Sequence, residues 1–285
     1  MEKKIVYFND NPELKGMART NLDIVYSEKA GQRLHLIRPW ETENDARRYP
    51  LIVFVQGSGW TTPDLGAELP QLSQLARKGY VVATVCHRDC KDGHPVPAFL
   101  VDVKSAIRYL RAHAEEYYID PERVAIWGTS SGGNTAMLCG ITGDMECYKA
   151  DKYAEYAEYS DAVKCVVDCF GPTDMFAMLD PAAEPDEGIE FLSNCLAGDR
   201  DREEAMTEMS PLRRLQEGVQ YPPMLLLHGD ADGLVPYSQC EMMFDRMLEL
   251  EQDVQCVCVR GADHEANFWS QELLDYIFNY IEERI

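Results

Sequence analysis

In RVAIWGTSSGGNTAMLC, residues 123–139, a hydrophobic run ends in Gly128-Thr129-Ser130-Ser131-Gly132 and gives way to small residues. A serine on so sharp a strand-to-helix turn is a nucleophile elbow, and the residues two places before and after it must be almost free of side chain for the backbones to pass. Gly128 and Gly132 meet that demand. A register centred on Ser131 would need glycine at 129 and finds threonine, so Ser130 is the candidate nucleophile. A serine hydroxyl needs a base to take its proton, and the base needs a carboxylate to fix its tautomer. Hydrolases of this strand–turn–helix topology order the three Ser, acid, His. Of six histidines, His35, His87, His94 and His113 precede Ser130 and His228 precedes the candidate acids, which leaves His264. The acids lie in two loops, Asp230 and Asp232 in HGDADGLVP (228–236) and Asp263 in GADH (261–264). The residues alone do not separate Asp230 from Asp232. Asp263 ranks third, because sequence neighbours have difficulty aligning their side chains.

These groups need a scaffold. Residues 51–55, LIVFV, form a continuous apolar run, as expected of a parallel strand covered on both faces. Similar strands are expected at 80–86, 124–127, 161–168, 223–228 and 254–259, and an antiparallel edge pair at 23–26 and 33–38. Helices are expected at 69–78, with Gly79 as its stop, at 99–113, from 134, at 237–250 and at 270–284. In the helix at 99–113, Val103, Ala106, Ile107 and Leu110 make the buried stripe and Asp102, Lys104, Arg108 and Arg111 are left for solvent. Asp120-Pro121 breaks the chain before the strand that leads to Ser130. The fold class is α/β: an eight-stranded, mostly parallel, doubly wound sheet with helices on both faces, in one domain spanning 1–285. At about 174–221 the alternation lapses into short acidic pieces, an insertion too short for its own core.

The 285 residues are 46% apolar and 10% aromatic, enough for a sizeable core. With 27 basic and 49 acidic residues the net charge is −22, which repels phosphate backbones and anionic membranes, so neither nucleic acid nor membrane is an expected partner. There is no apolar core of signal-peptide length and no run near the roughly 18 apolar residues of a transmembrane helix, so a cytoplasmic protein is expected. The ten cysteines match no four-ligand zinc spacing. Cys165 with Cys169, and Cys256 with Cys258, are expected as small buried hydrophobes on one face of a strand.

FVQGSGW (54–60), DVKSAIRYLR (102–111), DPERVAIWGTSSGG (120–133), HGDADGLVP and the terminal His264 together resemble the α/β-hydrolases of the esterase and lipase type, most of all the acetyl esterase branch with its acetyl-xylan and feruloyl esterases. That resemblance implies Asp232, Val235 and Pro236 for the family's His-Gly-x-x-Asp-x-x-Val-Pro pattern, hence Asp232 as the orienting acid. It also implies an oxyanion hole built from the Ser131 amide and a donor in the loop after Val55, where Gln56-Gly57-Ser58-Gly59-Trp60 stands in place of His-Gly-Gly-Gly-Trp; Ser58 and Gly59 both remain candidates. Gln56 and Trp60 are expected at the substrate, Trp60 as a pocket wall, with a place in the core as the alternative. The expected activity is cleavage of a small-molecule carboxylic ester, of short-chain acyl or acetylated-carbohydrate type, through an acyl-enzyme and without metal or organic cofactor. An amidase of arylformamidase type using the same three residues is the alternative. A homodimer is compatible with all of this. The 174–221 insertion, which carries Glu184, Asp186, Glu187, Phe176, Met178, Leu179, Ile189, Phe191 and Leu192, is expected to overhang Ser130 as a cap.

Overall fold

The structure is a computed structural model that describes residues 4–42, 46–178 and 187–285. Its centre is set by β3 (Tyr49–Val55) and β5 (Ile119–Thr129). Leu51, Ile52, Val53, Phe54 and Val55 are all buried, as are Val124, Ala125, Ile126 and Trp127. Strands apolar on both faces are stable only between two layers of helix.

The chain begins with β1 (Ala18–Ser27) and β2 (Gln32–Pro39), then β3, α1 (Leu69–Lys78), β4 (Val81–Val85), α2 (Ala98–Ala112), β5 and α3 (Ser131–Ile141). It continues through the short α4 (Glu146–Lys149), β6 (Cys165–Cys169), the helices α5 (Met175–Met178), α6 (Glu187–Ala197), α7 (Arg202–Met209) and α8 (Pro211–Arg214), and β7 (Met224–Gly229). α9 (Ser238–Glu249), β8 (Val254–Val259) and α10 (Gln271–Glu282) complete it. The strands form one sheet in the order β1-β2-β4-β3-β5-β6-β7-β8. β2 runs antiparallel to both its neighbours and every other pairing is parallel. Leu72 and Leu75 of α1 and Ile277 and Ile281 of α10 cover one face, while Phe99 and Leu110 of α2, Met137 of α3 and Met243 of α9 cover the other. α1 stops where expected, at Gly79, whose φ of 106° is open to glycine. Ser270 caps α10, its hydroxyl accepting from the Leu273 amide at 3.1 Å.

Four expectations are corrected. Asp102, Lys104 and Arg108 are buried rather than solvent-facing. Each has found an opposite charge: Arg88 forks onto Asp102, while Lys104 (2.7 Å) and Arg108 (2.5 Å) converge on the carboxylate of Asp161. Because Asp161 is tied down in this way, the strand expected from 161 begins only at Cys165. Asp120-Pro121 does not precede β5 but lies within it. Tyr49 pairs with Ile119 and Leu51 with Val124, so the intervening residues bulge out where Pro121 has no N–H to give the ladder. Cys165 and Cys169 are buried on one face, but Cys258 is exposed and Cys256 half-buried, because β8 is the sheet edge.

The elbow is held by backbone contact. A Cβ on Gly132 would collide with the Val55 carbonyl, and one on Gly128 with the Gly132 carbonyl. Both obstacles are main chain and cannot rotate away. Gly132→Ala should therefore lower stability by roughly 3 kcal/mol or more. Chemical denaturation would measure this, and a change below about 1 kcal/mol would show that the contact is not a constraint.

Candidate active site

Strand β5 delivers Ser130 to the carboxyl end of the sheet at φ 52° and ψ −124°, a conformation L-residues seldom adopt. Its amide donates to the Cys169 carbonyl of β6 at 2.8 Å and its carbonyl accepts from the Asn134 amide at 3.0 Å, so the strained residue is fixed on both sides. His264 reaches it from the loop after β8, with Nε2 3.0 Å from the Ser130 Oγ and Nδ1 2.8 Å from Oδ2 of Asp232. Phe170 meets the imidazole edge-on, with ring centroids 4.7 Å apart. With Nδ1 donating to a carboxylate, Nε2 presents its lone pair to the serine hydroxyl. That is the arrangement a general base requires.

The three candidate acids are separated by the structure. Asp232 alone contacts the imidazole of His264. Its Oδ1 accepts from the amides of Leu234 and Val235, both at 2.9 Å, and its Oδ2 also lies 3.3 Å from Nε2 of His228. Burial alone would raise this carboxyl, but hydrogen bonds from His228, His264 and the two amides outweigh it and hold Asp232 well below the usual carboxylate range. Asp230 turns away to accept from the Gly261 amide at 2.5 Å. Asp263 accepts from the amides of Gly233 (3.0 Å) and His264 (2.7 Å).

The loop after β3 lies against the elbow, where a Cβ on Gly57 would come within 2.7 Å of the Ser130 Cβ. The amide of Ser58 is occupied, donating to Oγ of Ser131 at 2.9 Å. Those of Gly59 and Ser131 have no hydrogen-bond partner among the described residues. The Ser58 hydroxyl and the Thr61 hydroxyl clasp each other's backbone carbonyls at 2.6 Å, which fixes the turn carrying Gly59. Gln56 is not at the pocket; its amide donates to Glu68 at 3.3 Å.

An apolar cavity of about 80 Å³ opens beside Ser130. Trp60, only 6% exposed, walls it and also belongs to the core, packing near Phe99. The segment after β6 supplies Met175, Met178, Ile189, Leu192 and Leu196. Leu179, Glu184 and Asp186 of the expected cap lie outside the described residues. Phe191 is 55% exposed and points away, whereas Leu192, one step round α6, faces the cavity. Sequence reasoning missed Met175 because a four-residue helix leaves no periodicity to read, and missed Leu196 although it continues the stripe of Ile189 and Leu192 along α6. It also set His228 aside, although that residue sits in the same nine-residue motif as Asp232.

A family model described as BD-FAE matches residues 39–247. The chain belongs to the BD-FAE family. The BD-FAE match covers the loop after β3, Ser130 and Asp232, while His264 lies beyond it. The chain is 28% identical to Esterase LipC of Mycobacterium tuberculosis, over 85% of this chain and 58% of that protein. It is 26% identical to the Probable carboxylic ester hydrolase LipM of the same organism, over 71% and 46%. The chain thus spans about half the length of these curated relatives. Among solved structures it resembles a truncated carbohydrate esterase from gut microbiota, with a TM-score of 0.80 and 25% identity over 96% of this chain and 99% of that one. It also superposes on the esterase Est2 of Thermogutta terrifontis, with a TM-score of 0.72 and 24% identity over 95% and 96%. The doubly wound sheet of this BD-FAE member is accordingly the α/β-hydrolase fold.

Since Asp232 alone touches the imidazole, Asp232→Asn should slow labelling of Ser130 by a fluorophosphonate probe by roughly a thousandfold, and Asp230→Asn by less than about tenfold. Comparable losses in the two variants would show that the loop, rather than one carboxylate, is responsible.

Proposed function

We propose that this protein is a carboxylic ester hydrolase that works through a serine acyl-enzyme. The observation that carries the reading is the unbroken line from the Ser130 Oγ through His264 to Asp232, with contacts of 3.0 and 2.8 Å. Ser130 attacks the ester carbonyl as His264 takes its proton, and the imidazolium so formed is held by Asp232. The tetrahedral oxyanion is received by the amides of Gly59 and Ser131, which have no hydrogen-bond partner among the described residues. His264 then protonates the leaving alcohol as the C–O bond breaks. Water, deprotonated by the same imidazole, attacks the acyl-enzyme and releases the carboxylic acid and free Ser130.

The acyl group enters the cavity between Trp60 and the helices α5 and α6, which thus act as a cap. Its walls are nearly all hydrocarbon and its volume is small, about 80 Å³. A short aliphatic acyl group gains apolar burial there, while a charged or long one does not fit. An acetylated or short-acylated carbohydrate is the preferred substrate class. The likeness to a carbohydrate esterase over nearly the whole of both chains supports it, as do the relatives named as esterases.

Ser130→Ala should reduce ester turnover by roughly 10⁴-fold or more with the melting temperature unchanged. Across aryl esters from acetyl to decanoyl, kcat/KM should peak at short chains. Leu192→Ala should move that peak to longer chains and Phe191→Ala should leave it in place. Retained turnover in the Ser130 variant overturns the mechanism. A peak that moves equally in both helix variants, or in neither, removes the acyl group from this cavity.

A further inference from the structure

Behind Asp232 lie two buried polar side chains that the proposed reaction does not use. Asp168 is the second-to-last residue of β6 and His228 of β7, both without solvent exposure. Asp168 is paired in register with Leu226, so His228, two residues further along, projects from the same face of the sheet. Asp168 Oδ2 and His228 Nδ1 have no hydrogen-bond partner among the described residues. Their other polar atoms are committed. Oδ1 of Asp168 accepts from the Gly171 amide at 3.0 Å and is wedged where Cβ atoms on Gly133 and Gly171 would collide with it. Nε2 of His228 faces the Val235 carbonyl at 2.8 Å and Asp232 Oδ2 at 3.3 Å.

Both partners of Nε2 are acceptors, so Nε2 carries a hydrogen, and in the neutral ring Nδ1 is left with a lone pair. An ionised Asp168 would add a second buried acceptor on the same face with no donor for it, whereas a hydrogen on Oδ2, passed through a water, satisfies both atoms. We propose that Asp168 holds a proton towards Nδ1 of His228 across one enclosed water, and so fixes His228 as a positioning residue whose Nε2–H steadies the outer oxygen of Asp232. Burial pushes the Asp168 carboxyl up to about 7, in the same direction. The polar line then runs Asp168, His228, Asp232, His264, Ser130.

Of these, His264 and Asp232 have the roles given under the proposed function, and the effect on turnover rests on that reading. The other groups facing the pair are Cys256 of β8 and, at the start of α9, Cys240 and Tyr237. The Cys256 thiol is drawn down to about 7 by its hydrogen bond with Cys240, so a Cys256→Ala background removes a second group titrating in the same range. Asn134 and Gly133 of α3 complete the surroundings and carry no charge.

The hydrogen on Nε2 withdraws charge from Asp232 and so weakens its hold on the His264 imidazolium. Freeing His228 to lose that contact should move the acid limb of kcat/KM to higher pH. A purely structural role would lower activity without moving the limb.

The decisive measurement is histidine-¹⁵N NMR of the free protein, with no substrate present. Between pH 6 and 8 the His228 signals should be those of an Nε2–H tautomer with a hydrogen-bonded, unprotonated Nδ1. Asp168→Asn keeps a donor in place and should preserve both the tautomer and the acid limb. Asp168→Leu removes the donor and should mix the tautomers and raise the limb by roughly half a pH unit. A buried carboxyl raised to about 7 adds stability below its unfolded value that is lost as pH rises through 7, so Asp168→Asn should gain melting temperature over the parent from pH 5 to 8. An imidazolium signature at His228, an Nδ1–H tautomer, or an Asp168→Asn variant that behaves like the leucine variant overturns the proposal. If Asp168→Leu does not fold, the parent spectrum and the asparagine variant still decide. Because the tautomer is read without turnover, its failure is distinct from a failure to find esterase activity.

Discussion

The absence of side chains at three glycines governs the molecule. Gly132 lets α3 start against the Val55 carbonyl, Gly128 lets β5 pass beneath that helix, and Gly57 lets the loop after β3 reach Ser130. Only with all three in contact can Ser130 be held at positive φ at the head of α3. Gly59 and Ser131 line the same cavity beside Ser130, and at the helix N-terminus unpaired N–H groups and the helix dipole favour a negative oxygen. Two neighbouring central strands, β3 and β5, thus meet at one point, and the sheet's order fixes where the base and acid must arrive from. β7 and β8 lie to one side of the elbow, so their loops bring Asp232 and His264 in from the same direction.

Much of this was legible in the sequence, for reasons specific to it. Strands buried on both faces must be apolar throughout, and LIVFV and VAIW are; α1 is closed by a glycine that no other residue replaces without strain. The order of serine and histidine left one base. What was not legible depended on partners distant in the chain. Lys104 and Arg108 read as the wet side of an amphipathic helix, because nothing in their own segment says that Asp161 will come to lie over them. The late start of β6 follows from the same contact. Likewise, the Ser58 amide is taken up by a hydroxyl 73 positions away, Ser131 Oγ, a partner that nothing in its own loop announces. A helix one turn long, such as α5, has no period to detect, so Met175 was invisible as a pocket residue.

Three acids within two loops illustrate how identical side chains acquire different work. Asp230 clamps Gly261 across to the last strand's exit, and Asp263 clamps Gly233 in return. These reciprocal ties run between the two loops that carry Asp232 and His264, so the 2.8 Å contact between those residues rests on a pair of backbone locks rather than on its own strength. An exposed ion pair contributes little by itself. Here Asp232 is shielded from solvent and receives four hydrogen bonds, two of them from amides that cannot move without unwinding the turn.

That shielding has a cost which the surroundings must offset. A carboxylate out of water is stable only if donors converge on it, and each donor must itself be held. The Leu234 and Val235 amides are held by the turn and His264 by Phe170. His228 is held on one side by the Val235 carbonyl and on the other by whatever occupies the space towards Asp168. A buried charge therefore propagates order backwards into the sheet until it reaches a group that can be neutral. Asp168, fully buried and wedged between Gly133 and Gly171, is where that chain of requirements ends.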